Sequence, residues 1–470
     1  MGILKSIFGY ARRLFRKNLL VTAISALLWL IPASSPQGAV PFHPVCAAES
    51  PPPDAWAVLW FPRESDFSVA AGRQLLSRLD YSAALCYLRL AEKDRQKDPQ
   101  FQWELGEALW ETGAFDQALG RWEQALALDP NLDDALNRLW QGYVQTRQWD
   151  NAENAIGRWL ARHADDSQAG YTLALIHAAQ DPGSALDLLD NLKSAPPPLA
   201  KKAQELAAVI RAAIAYRVPE YIFARTGEEL LRLGEPALAE EALRRAIERN
   251  PKYGEAYALL GAAQEAAGEN PEDSLRQGVA LAPKSALACM LYGSWLHRKG
   301  DLVLAHWWLL QAWNAEPGDW IIASELAQVD FMLGNVQDAE GWVVQAVKAH
   351  PEEPDAWIAL AEFYIENDYL VEANGIPAAR QAVLLAPTND RALDILGLGW
   401  YKVGDFSTAE RFFLRALGQN PDSASAHLHL GMCMLAQGRA ADAMSELESA
   451  LRLDPSGRIG AQAKSLLDSL

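Results

Sequence analysis

Apolar residues along most of the chain recur three and four apart, the spacing of one helical face. The pattern is clearest over Phe101–Pro130. There Leu105, Gly106 and Leu109 share one face of a predicted helix, and Gly113 breaks the run. Ala118, Trp122 and Ala125 then line a second helix, which Pro130 ends. Gly113 permits turn dihedrals that other residues resist. Pro130 lacks the amide donor that a helix interior needs. Gly106 and Ala118 are small where the two helices must approach closely. The stretch reads as a helical hairpin, and a lone hairpin cannot bury its apolar face.

The same set returns about every 34 residues. Counterparts include Gly227, Leu230, Gly234, Ala239, Leu243, Ala246 and Pro251. Later copies are Gly293, Gly300, Ala305, Leu309, Ala312 and Pro317, then Leu396, Gly397, Gly404, Ala409, Phe413, Ala416 and Pro421. Leu430, Gly431, Gly438, Ala443, Leu447, Ala450 and Pro455 close the series. A generic helical bundle would not repeat its glycines and prolines in register. This spacing resembles the tetratricopeptide repeat family, whose units carry Trp, Leu-Gly, Tyr, Ala, Phe and Pro at fixed intervals. The resemblance implies an all-α fold, an α-solenoid in the form of a right-handed superhelix of about eleven helix-turn-helix repeats. It also implies partner binding.

The organisation follows from where the period holds. Residues 1–48 are basic, then apolar over Leu19–Ile31, the layout of a signal peptide or N-terminal membrane anchor. Thirteen apolar residues are short for a span, which needs about twenty. Residues 49–64 form a Pro-rich lead segment, with Trp56, Trp60 and Phe61 placed to cap the first hairpin. Residues 65–197 form a first repeat block. At 198–219 the period breaks at an unpaired helix predicted over Leu199–Tyr216, read as an interrupting hinge. Residues 220–457 form a second block, and 458–470 a C-terminal capping helix with a stripe of Ile459, Ala463, Leu466, Leu467 and Leu470.

Charge narrows the partners. The net charge is −18, and the first 48 residues hold five bases and no acid, so the remainder stands at −23. Such a surface repels phosphate backbones and argues against nucleic acid. The cysteines are Cys46, Cys86, Cys289 and Cys433, with no CxxC. The last three fall in different repeats and read as small core residues.

No HExxH, GxSxG, P-loop or EF-hand pattern is present, and no segment outside the repeats is long enough for a catalytic domain. The expectation is a non-enzyme with no cofactor and no metal. Residues spaced four then three on each first helix are expected to line an inner, partner-binding face. They are Trp103, Glu107 and Trp110, then Asn137 and Gln141, then Tyr171, with Phe331 and Tyr401 in the second block. Ile358, Ile365, Leu398 and Leu428 continue the same line. Arg73 is the only base expected there, which argues against a carboxylate clamp of the chaperone-binding kind. Trp307, Trp308 and Trp313 cluster on one second helix, where they would serve self-association.

The sequence thus points to an exported scaffold that binds peptide or helical segments of envelope-assembly proteins. Its alternatives are a self-associating structural protein and a non-catalytic subunit of a separately encoded enzyme. The expected location is extracytoplasmic, with a possible membrane tether through Leu19–Ile31.

Overall fold

The computed structural model describes residues 64–455 and 457–470. The leader, the lead segment and their expected roles lie outside these residues. The described chain is helical throughout and divides into two compact units, one ending at Leu173 and one running Ala174–Leu470.

The first unit contains α1 (Glu64–Leu76), α2 (Tyr81–Ala91), α3 (Pro99–Glu111), α4 (Phe115–Leu128), α5 (Asp133–Gln145), α6 (Trp149–Leu160) and the start of α7 (Ser167–Gln180). The second continues with α8 (Pro182–Asn191), α9 (Pro197–Ile214), α10 (Pro219–Arg232), α11 (Pro236–Arg249), α12 (Gly254–Ala266) and α13 (Glu272–Leu281). It goes on through α14 (Ala286–Lys299), α15 (Leu302–Ala315), α16 (Trp320–Met332), α17 (Val336–Ala349), α18 (Pro354–Glu366) and α19 (Ile376–Leu385). It ends with α20 (Asp390–Lys402), α21 (Phe406–Gln419), α22 (Ala424–Ala436), α23 (Ala440–Leu453) and α24 (Arg458–Leu467). Consecutive pairs make eleven hairpins, with α9 unpaired and α24 closing the series.

The α3–α4 hairpin shows why these residues fold this way. Pro99 fits the first helical position, and the Asp98 carboxylate accepts the Phe101 amide at 3.2 Å. The helix stops at Gly113, whose φ of 84° is left-handed. The Ala114 amide then donates back to the Leu109 carbonyl at 2.9 Å. Trp122 is fully buried, and a Cβ on Gly106 would lie 2.4 Å from its Nε1. The small residue of the Leu-Gly pair is therefore the seat of the large residue on the returning helix. Gly227 meets Leu243, Gly397 meets Phe413 and Gly431 meets Leu447 in the same way.

Three returning helices, α8, α13 and α19, have 10 residues where α4, α11, α15, α17, α21 and α23 have 14. Before α19 the extra residues form a π-helical turn, Val371–Gly375. The helix without a hairpin partner spans Pro197–Ile214. It buries Ala203, Leu206, Ala207 and Ile210 while packing on α8 and α10. That apolar stripe joins it to the second unit, so the division between units falls inside α7 at Leu173 and ahead of the 198–219 segment. On α24, Ala463 is buried and Ile459, Leu466 and Leu467 pack beneath it, whereas Leu470 lies past the helix end and is exposed.

Cys289 and Cys433 are buried and free, as core residues should be. Burial pushes the Cys433 thiol up to about 11. Cys86 corrects the reading from spacing: it is half-buried on α2 and disulfide-bonded.

Candidate partner-binding faces

On the first unit the inner face of α3 and α5 is crossed by ion pairs between first helices. Arg138 Nε donates to both Glu107 carboxylate oxygens at 2.9 and 3.1 Å, and its Nη2 donates to Glu111 at 3.0 Å. Arg73 on α1 grips Glu104 at 2.7 and 2.8 Å. Burial pushes the Glu107 carboxyl up, with Arg138 pulling the other way. Asn137 and Gln141 satisfy each other, the Gln141 amide donating at 3.1 Å. Trp103 is half-buried.

Trp110 is not at this face. Its ring is 8% exposed and stands 4.7 Å from Phe115 and 5.3 Å from Trp122. The left-handed turn at Gly113 folds α4 back over it, and Gly142 on α5 of the following hairpin closes in on the ring, where an added Cβ would lie 3.1 Å away. Tyr171 is likewise buried, at 4% exposure. Spacing within one helix does not contain how far the next hairpin covers it.

The second unit repeats the ion-pair device. Arg298 on α14 donates to both Glu265 oxygens on α12, at 2.9 and 2.6 Å. Arg391 on α20 binds Glu362 on α18 at 2.7 and 2.6 Å. His429 Nδ1 on α22 lies 2.9 and 3.0 Å from the Asp394 oxygens on α20. Burial pulls the His429 imidazole down, but the Asp394 carboxylate overrides it and leaves the ring above its ordinary value. His297 Nδ1 lies 3.3 Å from Glu325, and its hydrogen bond with that of Ser294 holds Glu325 below the usual carboxylate range against burial.

The expected inner-line residues Ile358, Ile365, Leu398 and Leu428 are buried between neighbouring helices. Phe331 is half-buried with its ring edge-on to Phe363 at 5.9 Å, and Tyr401 rests against Phe406 at 5.6 Å. One stretch stays open. On α16, Ile321 is 43% and Met332 60% exposed, with Gln328 exposed and Ser324 and Phe331 half-buried between them. None of these five carries a charge.

Sequence reading missed the bases of the ladder, since Arg138 stands one position past Asn137, Arg298 one past His297, and Arg391 a turn ahead of Asp394. A signal for them was available. Each base lies about one repeat length from an acid on the neighbouring first helix.

On the returning helices, Trp307 is half exposed, beside Val303 at 72% and Leu304 at 46%. Trp308 packs on Tyr292 at 5.4 Å, and Trp313 is buried against Trp342 at 5.5 Å, so those two rings belong to the core. Among the described residues, no cluster of three or more His, Cys, Asp or Glu could hold a metal ion, and no helix is long and apolar enough to cross a membrane.

Models described as tetratricopeptide repeat match residues 69–133, 225–273 and 396–458, and a second such model matches 109–176. No curated protein matches the sequence. Among solved structures the chain is similar to yeast Tom70, at 17% identity over 86% of this chain and 95% of that one, with a TM-score of 0.45. It is also similar to the hetero-tetramer of Cut9 and Hcn1 from the APC/C, at 14% identity, 88% and 97% coverage and a TM-score of 0.44. A third is YrrB, a TPR protein with an unusual peptide-binding site, at 17% identity, 41% and 97% coverage and a TM-score of 0.27. With left-handed glycine turns recurring at Gly113, Gly234, Gly268, Gly300, Gly334, Gly404 and Gly438, and with these matched stretches, the chain is built of tetratricopeptide repeats.

Proposed function

We propose that this protein is an exported, non-catalytic scaffold that holds apolar or amphipathic peptide or helical segments of envelope-assembly proteins. The open face of α16, where Ile321, Gln328 and Met332 are exposed around the Glu325–His297 pair, carries this reading. Flexible Met332 and branched Ile321 offer apolar contact that adapts to more than one partner. Gln328 and Ser324 supply hydrogen bonds, and an amphipathic helix laid in a groove needs that combination. The basic-then-apolar leader ending at Ile31 supports export, and the acid surplus disfavours nucleic acid.

The test is photo-crosslinking from position 332 in the full chain, in its native cell, followed by mass identification. A recurrent set of envelope proteins supports the proposal. Cytoplasmic partners alone would overturn the export argument.

A second reading, self-association through α15, is favoured by the exposure of Val303, Leu304 and Trp307 on one returning helix. Light scattering separates the two. A strict monomer at micromolar concentration removes self-assembly.

A further inference from the structure

His297 reaches from α14 to the open face of α16 and meets it with both ring nitrogens. Nδ1 lies 3.3 Å from a Glu325 carboxylate oxygen. Nε2 lies 3.4 Å from the Met332 sulfur, Sδ. Glu325 and Met332 stand seven residues apart on α16, which is two turns along one face. The ring bridges them. A carboxylate is the stronger acceptor and a thioether a weak one. A neutral ring therefore keeps its proton on Nδ1 for Glu325 and turns the Nε2 lone pair toward the sulfur. Two lone-pair donors then converge, and neither has a proton to give the other.

We propose that His297 and Met332 form a binding site for copper(I). The donor types select the ion. Thioether sulfur favours copper(I), and imidazole nitrogen suits copper as well. Magnesium and calcium take oxygen ligands and gain nothing from the sulfur. Copper(I) has a closed shell and accepts low coordination numbers, so a pair of protein donors can hold it. The spacing fits. Bonds of about 2.0 Å to nitrogen and about 2.3 Å to sulfur, the lengths known for zinc, set the two donors about 3.5 Å apart at a tetrahedral angle. The observed separation is 3.4 Å.

The surroundings support the same reading. A carboxylate on the other ring nitrogen fixes the tautomer and the direction of a metal-binding histidine. Glu325 stands in that place, and a hydrogen bond from Ser294 holds it there. Met332 is 60% exposed and the His297 side chain 14%, so an ion arrives from solvent at the sulfur while the ring is anchored behind it. The neighbouring Arg298 guanidinium is turned to Glu265 on α12. The site shares Met332 with the docking face of α16 but does not rest on that reading, because its test contains no partner.

The experiment is competition for copper(I) in the purified full chain. Accessible thiols are alkylated first, and ascorbate keeps the metal reduced. A chromophoric chelator of the bicinchoninate type reports how much copper it loses. One equivalent should pass to the protein, and X-ray absorption should find both nitrogen and sulfur around the copper. Met332→Leu keeps an apolar side chain at an exposed position and should abolish the uptake without unfolding the chain. His297→Asn should do the same. Glu325→Ala spares both donors and should weaken binding about 10–100-fold, the usual effect of removing the group behind a metal-bound histidine. Uptake unchanged in Met332→Leu overturns the proposal. So does copper that stays with the chelator in the wild type, or a copper shell that lacks sulfur.

Discussion

The inner face of α3 and α5 and that of α16 occupy equivalent places in their hairpins and differ in what is left unspent. On α3 and α5, Glu107, Glu111 and Arg138 are committed to one another, and Asn137 to Gln141. On the open face of α16 the acid Glu325 is paired with His297, while Ile321, Gln328 and Met332 stay exposed around it. A charge on an inner face is therefore first a stitch between repeats, on α16 as on α3 and α5, and recognition is sought among the exposed groups that no stitch takes up. The count of polar groups on a groove says little until each has been paired off.

Removing Trp110 would test the core side of this contrast most severely. Trp110→Ala should cost about 3–5 kcal/mol, the range for a buried large aromatic. Denaturant melting reads it, and a wild-type midpoint would return Trp110 to the face. Trp103→Ala should cost less, because its ring is only half-buried.

Next in size is the Asp394–His429 pair. Asp394→Ala should cost about 2 kcal/mol, as for a hydrogen bond to a charged group. The pH dependence has a definite sign. His429 is raised in the folded state, so its contribution is complete below the ordinary histidine value and fades as pH rises through the folded value. The groups facing it are Asp394, Glu366 and Arg458, with the Phe413 ring beside it. The midpoint of the wild type should fall between pH 6 and pH 8 by more than that of His429→Gln. Equal falls would remove the linkage from this pair.

Glu107→Gln breaks one stitch at the edge of solvent and should cost about 1 kcal/mol or less. Added salt should shrink the difference from wild type. If the variant instead loses partner capture at unchanged stability, Glu107 is a recognition group and the contrast drawn above fails.

Smallest in stability, and most informative for function, is the pair Ile321→Ser with Met332→Ser. Exposed positions of this kind shift stability by about 0.5 kcal/mol or less. Partner recovery by crosslinking should nonetheless fall. Unchanged recovery would leave α16 without a role.

Much of the fold was legible because close packing leaves a one-letter trace. Only a small residue fits under Trp122 or Leu243, and only a positive φ closes the turn at Gly113, so Gly106, Gly227 and Gly113 announce themselves. The site was less legible. Trp103 and Trp110 share a helix face in sequence, yet one is covered by the following hairpin and the other only in part. Coverage depends on contacts a repeat length away, which spacing within one helix does not contain. The Cys86 bond was invisible for a similar reason, because pairing is a matter of proximity and not of interval.

The ladder also bears on how such a chain can grow. Glu104 is 7% exposed and Asp394 8%, and each is matched by a base on a different repeat. Copying or deleting a single hairpin across such a junction strands a carboxylate in poorly hydrated surroundings, at a cost of several kcal/mol. Length can change freely only at junctions that share no charge. The heritable module of this protein is therefore not the repeat itself but the seam, half of one repeat and half of the next.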